Sequence, residues 1–194
     1  GFKFGFSTTE DDNMSFVYGD ESAVSLARSA YLRKQGIQAK DAVFIKLEHG
    51  TEVYKVNNKN KGNLLDPGLQ DDLVGDGLIT NQPGLTLFLV VADCIGAAIY
   101  DPACRALGLI HAGRKGVEQN ILAEVVEKMR IAYGSTPHDM KLITSPSISA
   151  ESYVFDTEDA IDIEFWGSDL TKRKDGKWHM DIKSKFNKQA LECG

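Results

Sequence analysis

The chain has 194 residues, is 42% hydrophobic and 26% charged, and carries 22 Lys+Arg against 28 Asp+Glu for a net charge of -6. This is ordinary globular usage, which excludes collagen, coiled coil and wholesale disorder, and the length suffices to bury a sizeable core. An acidic balance argues against a nucleic-acid binder, and no apolar run reaches the ~18 residues of a membrane span.

After a polar, turn-rich start, Ala23, Ala27, Ala30 and Tyr31 recur near helical spacing and predict a helix over 20–35, with Gly36 as its stop. Residues 42–47 read as a strand, 51–56 continue in β-rich alternation, and 57–68 is a loop by its Asn, Lys, Gly and Pro content. A strand at 77–80 leads through Asn81-Gln82-Pro83-Gly84 into 85–92, an apolar run of the kind shown by a strand buried on both faces. Further strands are expected at 96–100, 105–110 and 141–144. The strongest helix signal is 116–133, where Ile121, Leu122, Val125, Val126 and Met129 form an apolar stripe. The remainder reads as an acidic helix over 158–165, a basic turn at 172–177, the segment 178–182 and a closing helix from Lys183. The class is α/β (α+β), with layered mixed sheets flanked by helices.

Cys94, Cys104 and Cys193 form no disulfide framework, and residues 1–6 show no signal-peptide core, so a reducing cytoplasm is the expected compartment. Four histidines (His49, His111, His138 and His179) are too few for the several imidazole-rich centres of a multicopper oxidase, so copper is not expected.

Three possible metal ligands sit where strands meet loops, in His49-Gly50, Cys94-Ile95-Gly96 and His111-Ala112-Gly113. Strand ends converge on one rim of a sheet, and small neighbours leave room for a ligand. One thiolate and two imidazoles suit zinc with a fourth position open. The spacing leaves other readings standing: Cys94 as a small buried hydrophobe, each histidine as a satisfied strand-end residue, or Cys94 as a nucleophile with His111 or His49 as its base. The HxE and PCxxC signatures of a zinc deaminase are absent. Arg114-Lys115 at the start of the helix offers a phosphate-binding cation pair or a solvated turn. Asp93, beside Cys94, is a candidate acid/base group or a hydrogen-bond partner of a metal ligand. Glu48 is expected to point away by strand alternation. His179 reads as structural, His138 as an exposed loop residue, and Lys172-Arg173-Lys174 as a solvated turn too short for nucleic acid.

Asp76-Gly77-Leu78-Ile79-Thr80, Ala92-Asp93-Cys94, Tyr100-Asp101-Pro102 and His111-Ala112-Gly113 resemble the YfiH-like family, often labelled "laccase domain" or polyphenol oxidase. Phe6-Ser7-Thr8, His49-Gly50 and Trp178-His179-Met180-Asp181 fall in the family's order, so the likeness covers essentially residues 1–194. It implies one CNF1/YfiH-like α/β domain and a single zinc on His49, Cys94 and His111. It also implies purine nucleoside phosphorolysis of adenosine, inosine, guanosine or methylthioadenosine, with adenosine deamination as a side activity. The expected partners are therefore a purine nucleoside and phosphate, with neither nucleic acid nor membrane. Departures from the pattern are Leu47 for Gln, Arg114-Lys115 where the family has Trp-Arg, Thr9 for Arg, and Ile143-Thr144-Ser145-Pro146-Ser147-Ile148 where the family has an IGPCI-like turn. Relatives of this kind usually continue beyond the position of Gly194. A catalytically degenerate, metal-binding member is the non-enzymatic alternative.

Overall fold

The computed structural model describes residues 2–156 and 161–194. Helix α1 (Glu21–Lys34) starts at Asp20, whose carboxylate accepts the Ser22 and Ala23 amides. It ends before Gly36, which takes the left-handed turn at φ 74° that a side chain would resist. Then come β1 (Ala42–Phe44), β2 (Val53–Lys55), β3 (Gly77–Thr80), β4 (Thr86–Phe88), β5 (Ile95–Asp101) and β6 (Ala106–Ala112). Helices α2 (Arg114–Glu118) and α3 (Ile121–Tyr133) precede β7 (Lys141–Thr144) and β8 (Val154–Phe155). The order closes with α4 (Ile163–Trp166), β9 (Leu170–Lys172), β10 (Trp178–Met180) and α5 (Ile182–Glu192).

The central sheet runs β2-β3-β6-β5-β7, parallel between β2 and β3 and antiparallel elsewhere. β1 and β4 form a parallel pair, and β8-β10-β9 an antiparallel sheet. Alternation of side chains along β1 separates two cores. Ala42 and Phe44 lie with Ala27, Tyr31 and Leu32 of α1, while Val43 packs with Leu78 of β3. Ile79, next to Leu78, turns to the far side and joins Ile99, Ile110, the α3 residues Ile121, Val125 and Met129, and Phe186 of α5. The layers therefore stack as α1, the β1–β4 pair, the central sheet, then α3 and α5.

Arg28 is 1% exposed on α1. Its guanidinium donates to the carbonyls of Met14 and Leu64 and to Gln70 Oε1, and lies 4.3 Å and 4.5 Å from the ring centroids of Phe16 and Phe44. Burial pushes its pKa down to about 10. The contacts tie the N-terminal segment and the 57–73 region to α1 through backbone carbonyls and aromatic faces.

Several expectations are corrected. The 85–92 run forms a strand only over β4, half-buried and paired on one side with β1. It is apolar because it lies between the two cores, where Leu85, Leu87 and Leu89 join one and Phe88 and Val90 the other. The 116–133 helix is two helices. Asn120 sits at φ 58° and caps α3 through the Ala123 amide, and this left-handed residue breaks the axis while apolar spacing continues across it. His111 lies within β6. Glu48 is exposed, but β1 ends at Phe44, so strand alternation is not the cause. The 158–165 helix falls partly outside the described residues, and α4 covers Ile163–Trp166. No helix among the described residues is long and apolar enough to cross a membrane.

α3 rests directly on the sheet backbone at Gly108 of β6, where a Cβ would lie 2.9 Å from Val125 Cγ1 and 3.1 Å from Met129 Sδ. Gly108→Ala is expected to lower the unfolding free energy by about 1–3 kcal/mol through overpacking, read as a reduced denaturant midpoint at unchanged m-value.

Candidate metal centre

Strand register builds the site. β5 and β6 pair Gly96 with His111 and Ile95 with Ala112, which carries Cys94 opposite Gly113. On the other side of β6, the His111 amide donates to the Asp76 carbonyl at 2.8 Å and extends the β3–β6 ladder beyond Gly77. His49 comes from the loop between β1 and β2 and holds the left-handed conformation at φ 65°. A non-glycine residue there is strained by roughly 1–2 kcal/mol and needs its neighbours to hold it.

Asp76 supplies that hold. Its side chain is fully buried; Oδ1 accepts the His49 amide at 3.0 Å, and Oδ2 the Gly50 amide at 2.6 Å. Oδ1 also lies 2.6 Å from His111 Nδ1. With Nδ1 occupied, His111 presents Nε2 to the cluster. The His49 and His111 rings meet edge to face, 4.8 Å between centroids. A ligand atom from each of His49, Cys94 and His111 lies within 4.8 Å of the others, and among the described residues this is the one group of three such donors. Burial is graded: His111 is 2% exposed, Cys94 half-buried and His49 exposed, so the site opens toward His49.

The electrostatics follow from that gradient. Burial pulls the His111 imidazole down, but the Asp76 carboxylate and Cys94 more than reverse it and raise its pKa to about 9. Burial pushes Asp76 up, yet hydrogen bonds from His111 and the Gly50 amide hold it below the usual carboxylate range. His49 is lowered, first by burial and then by the charge of His111, with Lys115 adding in the same direction.

A sequence profile of the family described as "Multi-copper polyphenol oxidoreductase laccase" matches residues 4–194. The chain belongs to this family. It is 31% identical over 145 residues to a Bacillus subtilis protein named purine nucleoside phosphorylase YlmD, covering 73% of this chain and 52% of that one. A Mus musculus protein named purine nucleoside phosphorylase LACC1 is 29% identical over 126 residues, 65% of this chain and 27% of that one. Among solved structures, YlmD from Geobacillus stearothermophilus superposes with a TM-score of 0.82 at 25% identity, covering 94% of this chain and 70% of that one. The Bacillus licheniformis protein YfiH gives a TM-score of 0.81 at 25% identity, covering 92% and 69%. The chain thus spans about half, or less, of the length of these curated relatives.

In this family member the donor set fits one ion of the zinc type. A thiolate and two imidazoles, one backed by a carboxylate, are the ligand chemistry such an ion takes. Gly113 leaves the space: a Cβ there would lie 3.1 Å from Cys94 Sγ, 3.3 Å from His49 Cδ2 and 3.5 Å from His111 Cε1. A bound zinc would supply Lewis-acid polarisation of a substrate oxygen.

The other predicted residues surround this cluster or lie apart from it. Asp93 is exposed on the bend before Cys94, and its carbonyl accepts the Ile148 amide. Lys115 is exposed close to His49. Arg114 Nη1 donates to Glu118 Oε1 at 3.0 Å, and the same oxygen accepts Trp166 Nε1 at 2.9 Å. His179 is buried on β10 with Nδ1 at 3.0 Å from the Ala150 carbonyl, and His138 is exposed in a short turn. Cys104 and Cys193 are free thiols. Sequence reasoning missed two residues. Asp76 was visible as an acidic residue between two glycines at the head of an apolar strand. Tyr153 carried no local signal; it packs half-buried against the main core, and burial raises its hydroxyl pKa, with Arg114 lowering it and Cys94 raising it.

Gly113→Ala would fill the cradle. An overpacking cost of about 1–3 kcal/mol falls on the three donors, so zinc affinity should drop roughly tenfold or more while far-UV circular dichroism stays unchanged.

Proposed function

We propose that this chain carries a zinc-dependent purine nucleoside phosphorylase activity. It would cleave adenosine, inosine, guanosine or methylthioadenosine with phosphate to free base and the corresponding pentose 1-phosphate, with adenosine deamination as a side activity. The convergence of His49, Cys94 and His111 around the Gly113 cradle carries the reading. The names of the YlmD and LACC1 relatives support it. Three donors suffice for one ion, so a single zinc is proposed and not a set of copper centres, despite the family's description.

In phosphorolysis the C1′–N glycosidic bond breaks, a phosphate oxygen bonds to C1′, and the base leaves with the electron pair and takes up a proton at nitrogen. His49, Cys94 and His111 would hold the ion, which when bound would supply Lewis-acid polarisation. Lys115, on the open side near His49, and Arg114, oriented by Glu118, draw phosphate to the rim. Asp93, exposed beside Cys94, is the candidate acid/base group on the side of the leaving base.

A Cys-dependent hydrolase is the second reading, favoured by the line Cys94–His111–Asp76, in which His111 stands between a thiol and a carboxylate. One zinc per chain lost in Cys94→Ala supports the phosphorylase; a metal-free, active and alkylatable Cys94 supports the hydrolase. Incubation with inosine or adenosine should release free base only when phosphate is present. Lys115→Ala should raise the KM for phosphate about tenfold, in line with the ~1.5–3 kcal/mol of a charged hydrogen bond. Absence of turnover of every nucleoside at full zinc loading would leave a metal-binding domain without catalysis.

A further inference from the structure

We infer that Asp76 is the positioning residue of the metal centre: one buried carboxylate sets both the loop of His49 and the ring of His111. The inference rests on the reading that the three donors hold a metal ion. Asp76 is anchored before its side chain acts, since its amide donates to the Glu52 carbonyl and its carbonyl accepts the His111 amide. From that point, Oδ1 and Oδ2 accept the consecutive amides of His49 and Gly50, the two N–H groups that define the left-handed turn. Oδ1 also faces His111 Nδ1 at 2.6 Å. A carboxylate is acceptor-only, so all three groups facing it must be donors. The proton of a neutral His111 is thereby kept on Nδ1, and the lone pair of Nε2 is left for an ion.

An asparagine at this position has the same shape but only one acceptor oxygen. Its amide nitrogen would face either the Gly50 N–H, donor against donor, or the side of His49 and His111. In the second case the proton of His111 moves to Nε2, the nitrogen needed for ligation. Either way one fixed element of the site is released.

The test is Zn²⁺ titration of the metal-free protein in competition with a chromophoric chelator. Asp76→Asn should bind zinc ~10–100-fold more weakly than the unaltered chain. Asp101→Asn serves as the comparison. Asp101 is also fully buried, and it accepts the Ala103 and Cys104 amides at the far end of β5 from Cys94. Its replacement should lower thermal stability with zinc affinity unchanged. A second measurement needs no variant. Long-range ¹H–¹⁵N spectra of the zinc-loaded chain, with four histidines to resolve, should show His111 protonated on Nδ1 and not on Nε2. Equal zinc affinity in a folded Asp76→Asn chain, or a proton on Nε2, overturns the role of Asp76 alone. Failure of the unaltered chain to take up zinc overturns the metal reading itself, and with it this inference.

Discussion

A carboxylate shut away from water must find hydrogen bonds inside the protein, since an unmet buried polar group costs ~1–3 kcal/mol and a charged one more. Asp76 meets that requirement with two amides from one loop and an imidazole from a neighbouring strand. The loop between β1 and β2 is thereby bound to the end of β6, and its φ 65° at His49 is held by the bonds from the His49 and Gly50 amides to Asp76. Two donors of the candidate centre are consequently fixed relative to each other by one group. The third arrives independently, by the register of β5 on β6.

The layers explain why this occurs at one rim. Central strands are covered on one face by α3 and α5 and on the other by the β1–β4 pair, so polar chemistry is left to the strand ends. Glycine sharpens the arrangement at two levels. Gly108 lets α3 lie against the sheet backbone, and Gly113 keeps the space between thiol and imidazoles clear of a side chain. The resulting site is buried at His111 and open at His49, with Lys115 on its accessible side.

Much of this was legible from residue order. β3 and β7 have the expected bounds, and α1, β5 and β6 differ from them by one or two residues, because β3, β5 and β6 are apolar runs next to an Asp or Gly and α1 lies between the Asp20 cap and Gly36. The meeting of His49, Cys94 and His111 was implied by the family resemblance, whereas their spacing alone left other readings open. Other features were hidden for physical reasons. An apolar run such as 85–92 reads the same whether it pairs on both sides or threads between two cores. The break at Asn120 is invisible to periodicity, because Val117 and Ile121 keep helical spacing while the backbone turns left-handed between them. Asp76 stood only as the first residue of a family motif, and its role exists only once β6 and the His49 loop lie beside it. Tyr153 joins the main core through long-range packing alone.

The central claim is that one thiolate and two imidazoles share an ion. X-ray absorption at the zinc edge of the zinc-loaded protein tests it most directly. The account predicts one sulfur at about 2.3 Å and two imidazole nitrogens at about 2.0–2.1 Å, with the sulfur scattering lost in Cys94→Ser. A first shell of light atoms only, unchanged by that substitution, would contradict it.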